Sequence, residues 1–99
     1  MDELLFKGQG KRLLVLKHST ACPISGMARR EVENYLEDHP EAVAVLLVVQ
    51  QQRALSDQIA ARFNVRHETP QLLVIEDGRA WYVRSHFNIN REELERKLE

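Results

Sequence analysis

The chain has 99 residues, a formal charge of −1 from 14 basic and 15 acidic residues, and one cysteine. One cysteine excludes a disulfide within the chain, and the balanced charge gives no basic surface of the kind that binds nucleic acid or an anionic membrane. No run of about 20 apolar residues is present, so no membrane-spanning helix is expected. The length predicts a single domain over residues 1–99, and the absence of a signal-peptide pattern predicts a cytoplasmic protein.

The first half of the chain predicts a strand, a helix and a second strand. A polar lead-in over residues 1–11 contains three consecutive apolar residues, at 4–6, that are expected to pack as one helical turn. Apolar runs at 13–16 and 43–49 do not alternate with polar residues, which predicts strands buried on both faces of a sheet. Between them, apolar residues spaced three and four apart predict a helix over 23–38. The residues of its apolar side are Ile24, Met27, Ala28, Val32, Tyr35 and Leu36.

The second half predicts a helix, a hairpin and a last helix. Apolar residues at 55, 59, 60 and 63 indicate the helix, and the run at 72–75 indicates a third strand. The dipeptide Asp77-Gly78 predicts a tight turn into a fourth, antiparallel strand. Asn90, with a glutamate three residues later, predicts the start of the last helix.

The resulting order, β-α-β-α-β-β-α, predicts an α/β protein in which helices cover both faces of a four-stranded mixed sheet. This order, with the antiparallel hairpin at its end, matches the thioredoxin fold. That fold implies the strand order 2-1-3-4 in the sheet.

Cys22 stands between the first predicted strand and the first predicted helix. The free N–H groups of a helix N-terminus stabilise an anion and lower the pKa of a thiol there, and the thiolate is the nucleophile. Pro23 suits the first turn, and Ser25, one turn on, is expected to reach the sulfur. A lone cysteine is commonly a small buried hydrophobe. The polar loop at the end of a strand favours the nucleophile instead.

Thr69-Pro70 precedes the third predicted strand. A proline at the first position of a strand is permitted, and an X-Pro bond can be cis. In the thioredoxin fold a cis-proline at this place faces the cysteine loop, and the residue before it offers its backbone to a substrate disulfide. Thr69 and Pro70 are therefore candidate substrate-binding residues.

The segment Cys22-Pro23-Ile24-Ser25 resembles the Cys-Pro-x-Cys motif of glutaredoxins, with serine in place of the second cysteine. Nearly the whole chain is similar to the monothiol bacilliredoxin family. The segments that carry this resemblance are Lys17-His18-Ser19-Thr20, Cys22-Pro23-Ile24-Ser25, Val49-Gln50, Arg53 with Leu55-Ser56, His67-Glu68-Thr69-Pro70-Gln71 and Ser85-His86. The sequence departs from the family in Thr69, where serine is expected, and in Phe87, where tryptophan is frequent.

The resemblance implies thiol–disulfide exchange with bacillithiol, a low-molecular-weight thiol that some bacteria use in place of glutathione. It implies that Cys22 removes bacillithiol from client proteins, that Pro23, Ile24 and Ser25 form the active-site loop, and that bacillithiol is a co-substrate with no tightly bound cofactor. Because the chain has no second cysteine, an external thiol must regenerate Cys22. The implied roles are redox homeostasis and the stress response.

Charged residues near the predicted site are further candidates. His18 and His67 are expected either to tune the thiolate or to be solvated loop residues. Bacillithiol carries carboxylates, so Arg53, Lys17 and Arg66 are candidate partners for them. His39 is expected on the surface, and the scattered histidines predict no metal site.

Three other functions fit the same residues. The chain could be a thioredoxin-fold interaction protein whose cysteine is modified by redox chemistry without being a catalyst. It could be an iron–sulfur carrier related to monothiol glutaredoxins, although these use a Cys-Gly-Phe-Ser loop. It could also be an oxidoreductase that uses glutathione.

Overall fold

The structure, a computed structural model, describes residues 12–98, so the helical turn predicted at residues 4–6 lies outside the described residues. No helix in this part of the chain is both long enough and apolar enough to cross a membrane. The elements follow the predicted order. They are β1 (Leu13–His18), α1 (Pro23–Glu37), β2 (Val43–Val48), α2 (Arg53–Arg62), β3 (Gln71–Glu76), β4 (Arg79–Ser85), a short 3-10 helix (His86–Asn88) and α3 (Arg91–Lys97).

The four strands form one mixed sheet in the predicted order β2-β1-β3-β4. β1 is parallel to β2 and antiparallel to β3, and β3 is antiparallel to β4. Lys17 of β1 therefore lies opposite Gln71 of β3, which in turn lies opposite Ser85 of β4. The carboxyl ends of β1, β2 and β4 and the amino end of β3 thus meet at one end of the sheet, which we call the site end.

Both faces of the sheet are buried, which explains why the apolar run of β1 does not alternate. Leu14 and Leu16 belong to a cluster shared with α1 and α3, whereas Leu13 and Val15 belong to a cluster shared with α2. Each fully buried leucine or valine stabilises the fold by about 1.5–3 kcal/mol relative to an exposed one. The central strand is therefore fixed from both sides, and the loop that leaves it starts from a rigid point.

Two predictions of burial were wrong. β2 was expected to be buried on both faces, but it is an outer strand, and Val43 and Leu46 are 48% and 37% exposed while Leu47 is buried. Met27 was expected on the buried side of α1 and is 55% exposed. The buried stripe of this helix runs from Ser25 along positions 28, 32 and 35, so Met27 lies beside the stripe and not on it.

The local signals for the hairpin and the last helix are confirmed. Asp77 and Gly78 have φ values of 55° and 77°, as a two-residue hairpin turn with two left-handed positions requires. The side chain of Asn90 accepts a hydrogen bond of 2.9 Å from the N–H of Glu93 and caps α3.

His39 lies at the surface, where its side chain is 29% exposed, and it links α1 to α3. Its ring stacks on Tyr35 with a centroid distance of 4.2 Å, and its Nε2 contacts the carboxylate of Glu95. Hydrogen bonding to Glu95 is the main cause that raises the pKa of His39 above its ordinary value, with Glu41 adding to the effect. The residue that ends α1 is thus part of the packing between two helices.

Candidate functional site

Cys22 is the N-cap residue of α1, with φ −116° and ψ 119°, and its side chain is partly exposed. Pro23 is the first residue of the helix, and no acidic residue lies in the first turn. An acidic side chain there would compete with a thiolate for the free N–H groups of the helix. The thiol predicted at a helix N-terminus is therefore found there.

Hydrogen bonds lower the pKa of the Cys22 thiol below its ordinary value. The largest cause is the backbone N–H of Ser25, and the N–H of Ile24 and the hydroxyl of Ser25 act in the same direction. Burial opposes them. The direction of this shift agrees with the expectation that Ser25 reaches the sulfur, and a lower pKa favours the thiolate, which is the reactive form.

The loop between β1 and α1 is held by side chains on both sides. Ser25 is fully buried, and its Oγ accepts a hydrogen bond of 3.2 Å from the N–H of Ser19. From the loop after β2, Gln50 donates to the hydroxyl of Ser19 at 2.7 Å and accepts from the N–H of Thr20 at 3.3 Å. The sequence analysis gave Gln50 no role. The available signal was its position, because Gln50 is the first polar residue after the apolar run of β2, the strand parallel to β1.

Thr69-Pro70 also lies at the site end, at the entrance to β3. The peptide bond between the two residues is cis, and Pro70 is buried. Its carbonyl accepts a hydrogen bond of 3.0 Å from the N–H of His86, which follows β4. Because β3 pairs with β1, this cis-proline and the cysteine loop leave neighbouring strands at the same end of the sheet.

A buried polar network lies on the α2 face of the site end. It consists of Lys17, Ser56 and His67, and we call it the Lys17 network. The Nζ of Lys17 donates to the carbonyl of Ser56 at 3.1 Å and lies 3.3 Å from Nδ1 of His67, and the hydroxyl of Ser56 lies 3.1 Å from the same nitrogen. Lys17 is 0% exposed, so its expected place among the surface cations that meet a thiol carboxylate was wrong.

The other charged candidates divide between surface and interior. Arg53 is exposed at the first position of α2 and pairs with Asp57 at 3.3 Å, and Arg66 is exposed in the loop before β3. His18 ends β1 and is only 8% exposed, which excludes a solvated loop histidine. Neither His18 nor His67 is among the causes that lower the pKa of Cys22, and their tuning role stays a prediction.

The cysteine loop is part of an open surface. A cavity of about 630 Å³ is present in the described part of the chain, but Leu14 of β1 and Val43 of β2 line it, near the starts of these strands. It lies at the end of the sheet opposite the site end. This cavity is therefore not part of the site around Cys22.

Comparison with known proteins identifies the family. Residues 1–94 match the family described as "Monothiol bacilliredoxin BrxC". The chain belongs to the monothiol bacilliredoxin family. The resemblance of the motifs is thus confirmed, and the chain is a thiol redox protein of this family.

Solved structures agree with the family and the fold. A proposed oxidoreductase with a thioredoxin fold is 36% identical, with a TM-score of 0.89, and the alignment covers 99% of this chain and 85% of that chain. Thioredoxin from Fasciola hepatica is 21% identical, with a TM-score of 0.75 and coverage of 98% and 86%. Mitochondrial thioredoxin 3 from Saccharomyces cerevisiae, in its oxidized form, is 16% identical, with a TM-score of 0.72 and coverage of 95% and 80%. These two thioredoxins support the fold alone.

Within this bacilliredoxin site, the structure brings most of the predicted residues to one end of the sheet. Cys22 and Ser25 lie at the start of α1, Thr69 and Pro70 at the start of β3, and Arg53 at the start of α2. Sequence reasoning missed the bracing by Gln50 and the burial of Lys17. Lys17 directly follows four apolar strand residues, which was the signal that its stem enters the core.

Proposed function

We propose that this member of the bacilliredoxin family removes bacillithiol from protein mixed disulfides through Cys22. The observation that carries the proposal is the single thiol at the N-cap of α1, whose pKa is lowered by hydrogen bonds from Ser25 and Ile24. Membership of the family supports bacillithiol as the thiol that is exchanged.

The reaction has two balanced exchange steps. In the first, the Cys22 thiolate attacks the bacillithiol sulfur of the mixed disulfide. A disulfide forms between Cys22 and bacillithiol, the original disulfide breaks, and the client leaves as a thiolate that takes a proton from water. In the second step, the thiolate of another bacillithiol attacks the bacillithiol sulfur on Cys22. The Cys22 thiolate leaves, and the two bacillithiols depart joined by a disulfide. Over both steps the client disulfide is reduced by two electrons, and bacillithiol is oxidised by two.

Ser25 explains why the second step needs an external thiol. A hydroxyl cannot form a disulfide, so the chain cannot release bacillithiol by closing a bond within the loop. The same hydroxyl instead stabilises the thiolate and braces Ser19. The replacement thus converts a potential resolving residue into a structural one.

The surface around Cys22 supports a protein client. Met27 on α1 is 55% exposed, and Phe87, in the 3-10 helix that packs on α1, is 69% exposed. Apolar side chains of this size favour contact with another protein surface. We assign the backbone of Thr69 to contact with the client, and the buried Pro70 to holding that backbone in place through the cis peptide bond.

We assign Arg53 to the carboxylates of bacillithiol. Its guanidinium is exposed at the site end and presents a planar pair of donors that suits a carboxylate. The pairing with Asp57 is exposed as well, and a substrate carboxylate would compete with it for the same donors. The reducing power comes from bacillithiol itself, so the proposal requires no tightly bound cofactor, and it places the protein in the reducing cytoplasm.

The test is the release of thiol from a purified client that carries bacillithiol. The protein with added bacillithiol is expected to free the client thiol, followed as the loss of the bacillithiol mass from the intact client, and Cys22→Ser is expected to abolish the release. Glutathione in place of bacillithiol serves as the matched comparison. Release by Cys22→Ser at the wild-type rate, or no release by the wild type, would contradict the proposal.

A further inference from the structure

The Lys17 network places a charged side chain at a fully buried position of β1. Along the α2 face of β1, Leu13 and Val15 are apolar, and Lys17 continues the same face next to the site end. Burying an ammonium group is unfavourable unless its donors are bonded, and an apolar residue of the same shape is often at least as stabilising. Stability alone therefore gives no reason for a lysine here. The contacts of Lys17 with Ser56 and His67 suggest a functional reason for the lysine.

The contacts define the state of the His67 ring. An ammonium group has three donors and no acceptor, so Nδ1 of His67 must be the unprotonated nitrogen that accepts from Lys17. The Ser56 hydroxyl, 3.1 Å from Nδ1, is a second donor to it. The ring is thus neutral, with its proton on Nε2. Burial is the main cause that lowers the pKa of His67, followed by the charges of Lys17 and Arg53, with Asp57 opposing them.

The same contacts attach a segment of the site to the core. Residues 66–70 lead to the cis peptide bond, and they are held at three points. Gln71 donates from its amide nitrogen to the carbonyl of Arg66 at 2.7 Å, the Lys17 network holds the ring of His67, and the carbonyl of Pro70 accepts from His86. Segment 66–70 is therefore connected to β1, α2 and the residue after β4.

We propose that Lys17 and Ser56 are positioning residues for the exchange reaction, because they hold His67 neutral and thereby fix segment 66–70 beside the cysteine loop. The group that they position is the backbone of Thr69, the residue before the cis-proline, which receives the protein part of the mixed disulfide. This inference rests on the proposed function. The positioning role differs from tuning of the thiolate, because Lys17 and Ser56 affect how the client binds and leave the pKa of Cys22 unchanged.

The test uses two variants and two disulfides. Lys17→Met replaces the ammonium by an apolar group of similar length, and Ser56→Ala removes only the hydroxyl. With a cysteine-containing peptide that carries bacillithiol, each variant is expected to raise KM by about tenfold, which corresponds to about 1.4 kcal/mol of binding free energy, the order of one hydrogen bond. With 5,5′-dithiobis(2-nitrobenzoate), which has no peptide part, the rates are expected to equal that of the wild type. The pH profile of Cys22 alkylation by iodoacetamide is expected to stay unchanged too.

Tyr82→Phe is the matched control for lost stability. Tyr82 is buried on the opposite face of the sheet, where its hydroxyl donates to Glu93, and the variant is expected to keep the wild-type KM for the peptide. Equal slowing of both disulfides by Ser56→Ala, or an unchanged KM for the peptide in both network variants, would overturn the positioning role.

Nitrogen NMR of the His67 ring tests the network without any substrate. The wild type is expected to carry the proton on Nε2, and Lys17→Met is expected to move the titration of the ring toward the ordinary pKa of 6.5. A proton on Nδ1 in the wild type would overturn the inference. Failure of the wild type to react with the peptide disulfide would instead contradict the proposed function, and the two failures are thus distinguishable.

Discussion

The two faces of the sheet differ in what they bury near the site end. On the face covered by α1 and α3, the cluster is apolar, the uncharged Ser25 and the nearby His18 are buried toward the site end, and Glu93 and His39 stand at its rim. On the face covered by α2, the apolar cluster gives way to Lys17, Ser56 and Gln71, each at most 1% exposed. The apolar cluster of the first face stabilises the fold. The second face buries the charged Lys17 in a hydrogen-bonded network next to segment 66–70.

This difference means that stability and chemistry are separable by substitution. A change in the apolar face is expected to lower the free energy of unfolding and leave the thiolate alone. A change in the cysteine loop is expected to alter the reactivity of the Cys22 thiol and to change the free energy of unfolding less. The following predictions test that separation, from the largest effect to the smallest.

The largest effect is expected from Leu94→Ala. Leu94 of α3 is 0% exposed in the apolar cluster, so its truncation leaves a cavity and costs about 2–5 kcal/mol of unfolding free energy. Urea unfolding measures the loss. The alkylation rate of Cys22 under folded conditions is expected to match the wild type, and a changed rate would show that the two regions are coupled.

Ser25→Ala is expected to raise the pKa of Cys22. The variant removes the hydroxyl contact to the thiolate and retains the N–H groups of Ser25 and Ile24, of which the first is the largest stabilising cause. The rise is therefore expected to be smaller than the lowering that the N–H groups still provide, and alkylation near neutral pH is expected to become slower. Ser56→Ala, which removes an equally buried hydroxyl from the α2 face, is the matched comparison. A rise in both variants would contradict a local role for Ser25.

Two histidines are expected to give opposite dependences of stability on pH. The pKa of His67 is lowered in the folded protein, so its contribution is complete above 6.5 and is lost as the pH falls through the folded pKa. The pKa of His39 is raised, so its contribution is complete below 6.5 and is lost as the pH rises through the folded pKa. Burial, followed by the charge of Lys17, lowers the pKa of His67, and the hydrogen bond to Glu95 raises that of His39.

Urea unfolding between pH 5 and 8 checks these signs in single variants. His67→Gln is expected to lose the part of the stability that increases with pH below 6.5, and His39→Gln is expected to lose the part that decreases above it. The two variants serve as controls for each other. Identical pH profiles in both would contradict the assignment of opposite surroundings.

Arg53→Ala is expected to have the smallest effect on stability. Its exposed pair with Asp57 is worth no more than about 0.5 kcal/mol. Its expected effect is on the KM for bacillithiol in the second exchange step, whereas Arg62→Ala, at the other end of α2, is expected to leave that KM unchanged. An unchanged KM in Arg53→Ala would remove this residue from the site.

The fold and the nucleophile could be predicted from sequence because their signals are local. Four consecutive apolar residues before Cys22, and Pro23 directly after it, specify a buried strand, a loop and a helix start. The apolar run before Lys17 indicates that its stem enters the core, but the partners of its ammonium group could not be predicted in the same way. They are Ser56 and His67, which are 39 and 50 residues away along the chain. The exposure of β2 likewise depends on its place in the sheet and not on its composition.

Intact-protein mass spectrometry during turnover tests the central claim most directly. The protein is mixed with a client that carries bacillithiol, in the absence of free bacillithiol, and samples are quenched with acid over time. The account predicts that Cys22 gains the mass of one bacillithiol at the rate at which the client loses it, and that added bacillithiol then restores the original mass. A client that loses bacillithiol while Cys22 stays unmodified, or a covalent adduct of Cys22 with the client itself as the main product, would contradict it.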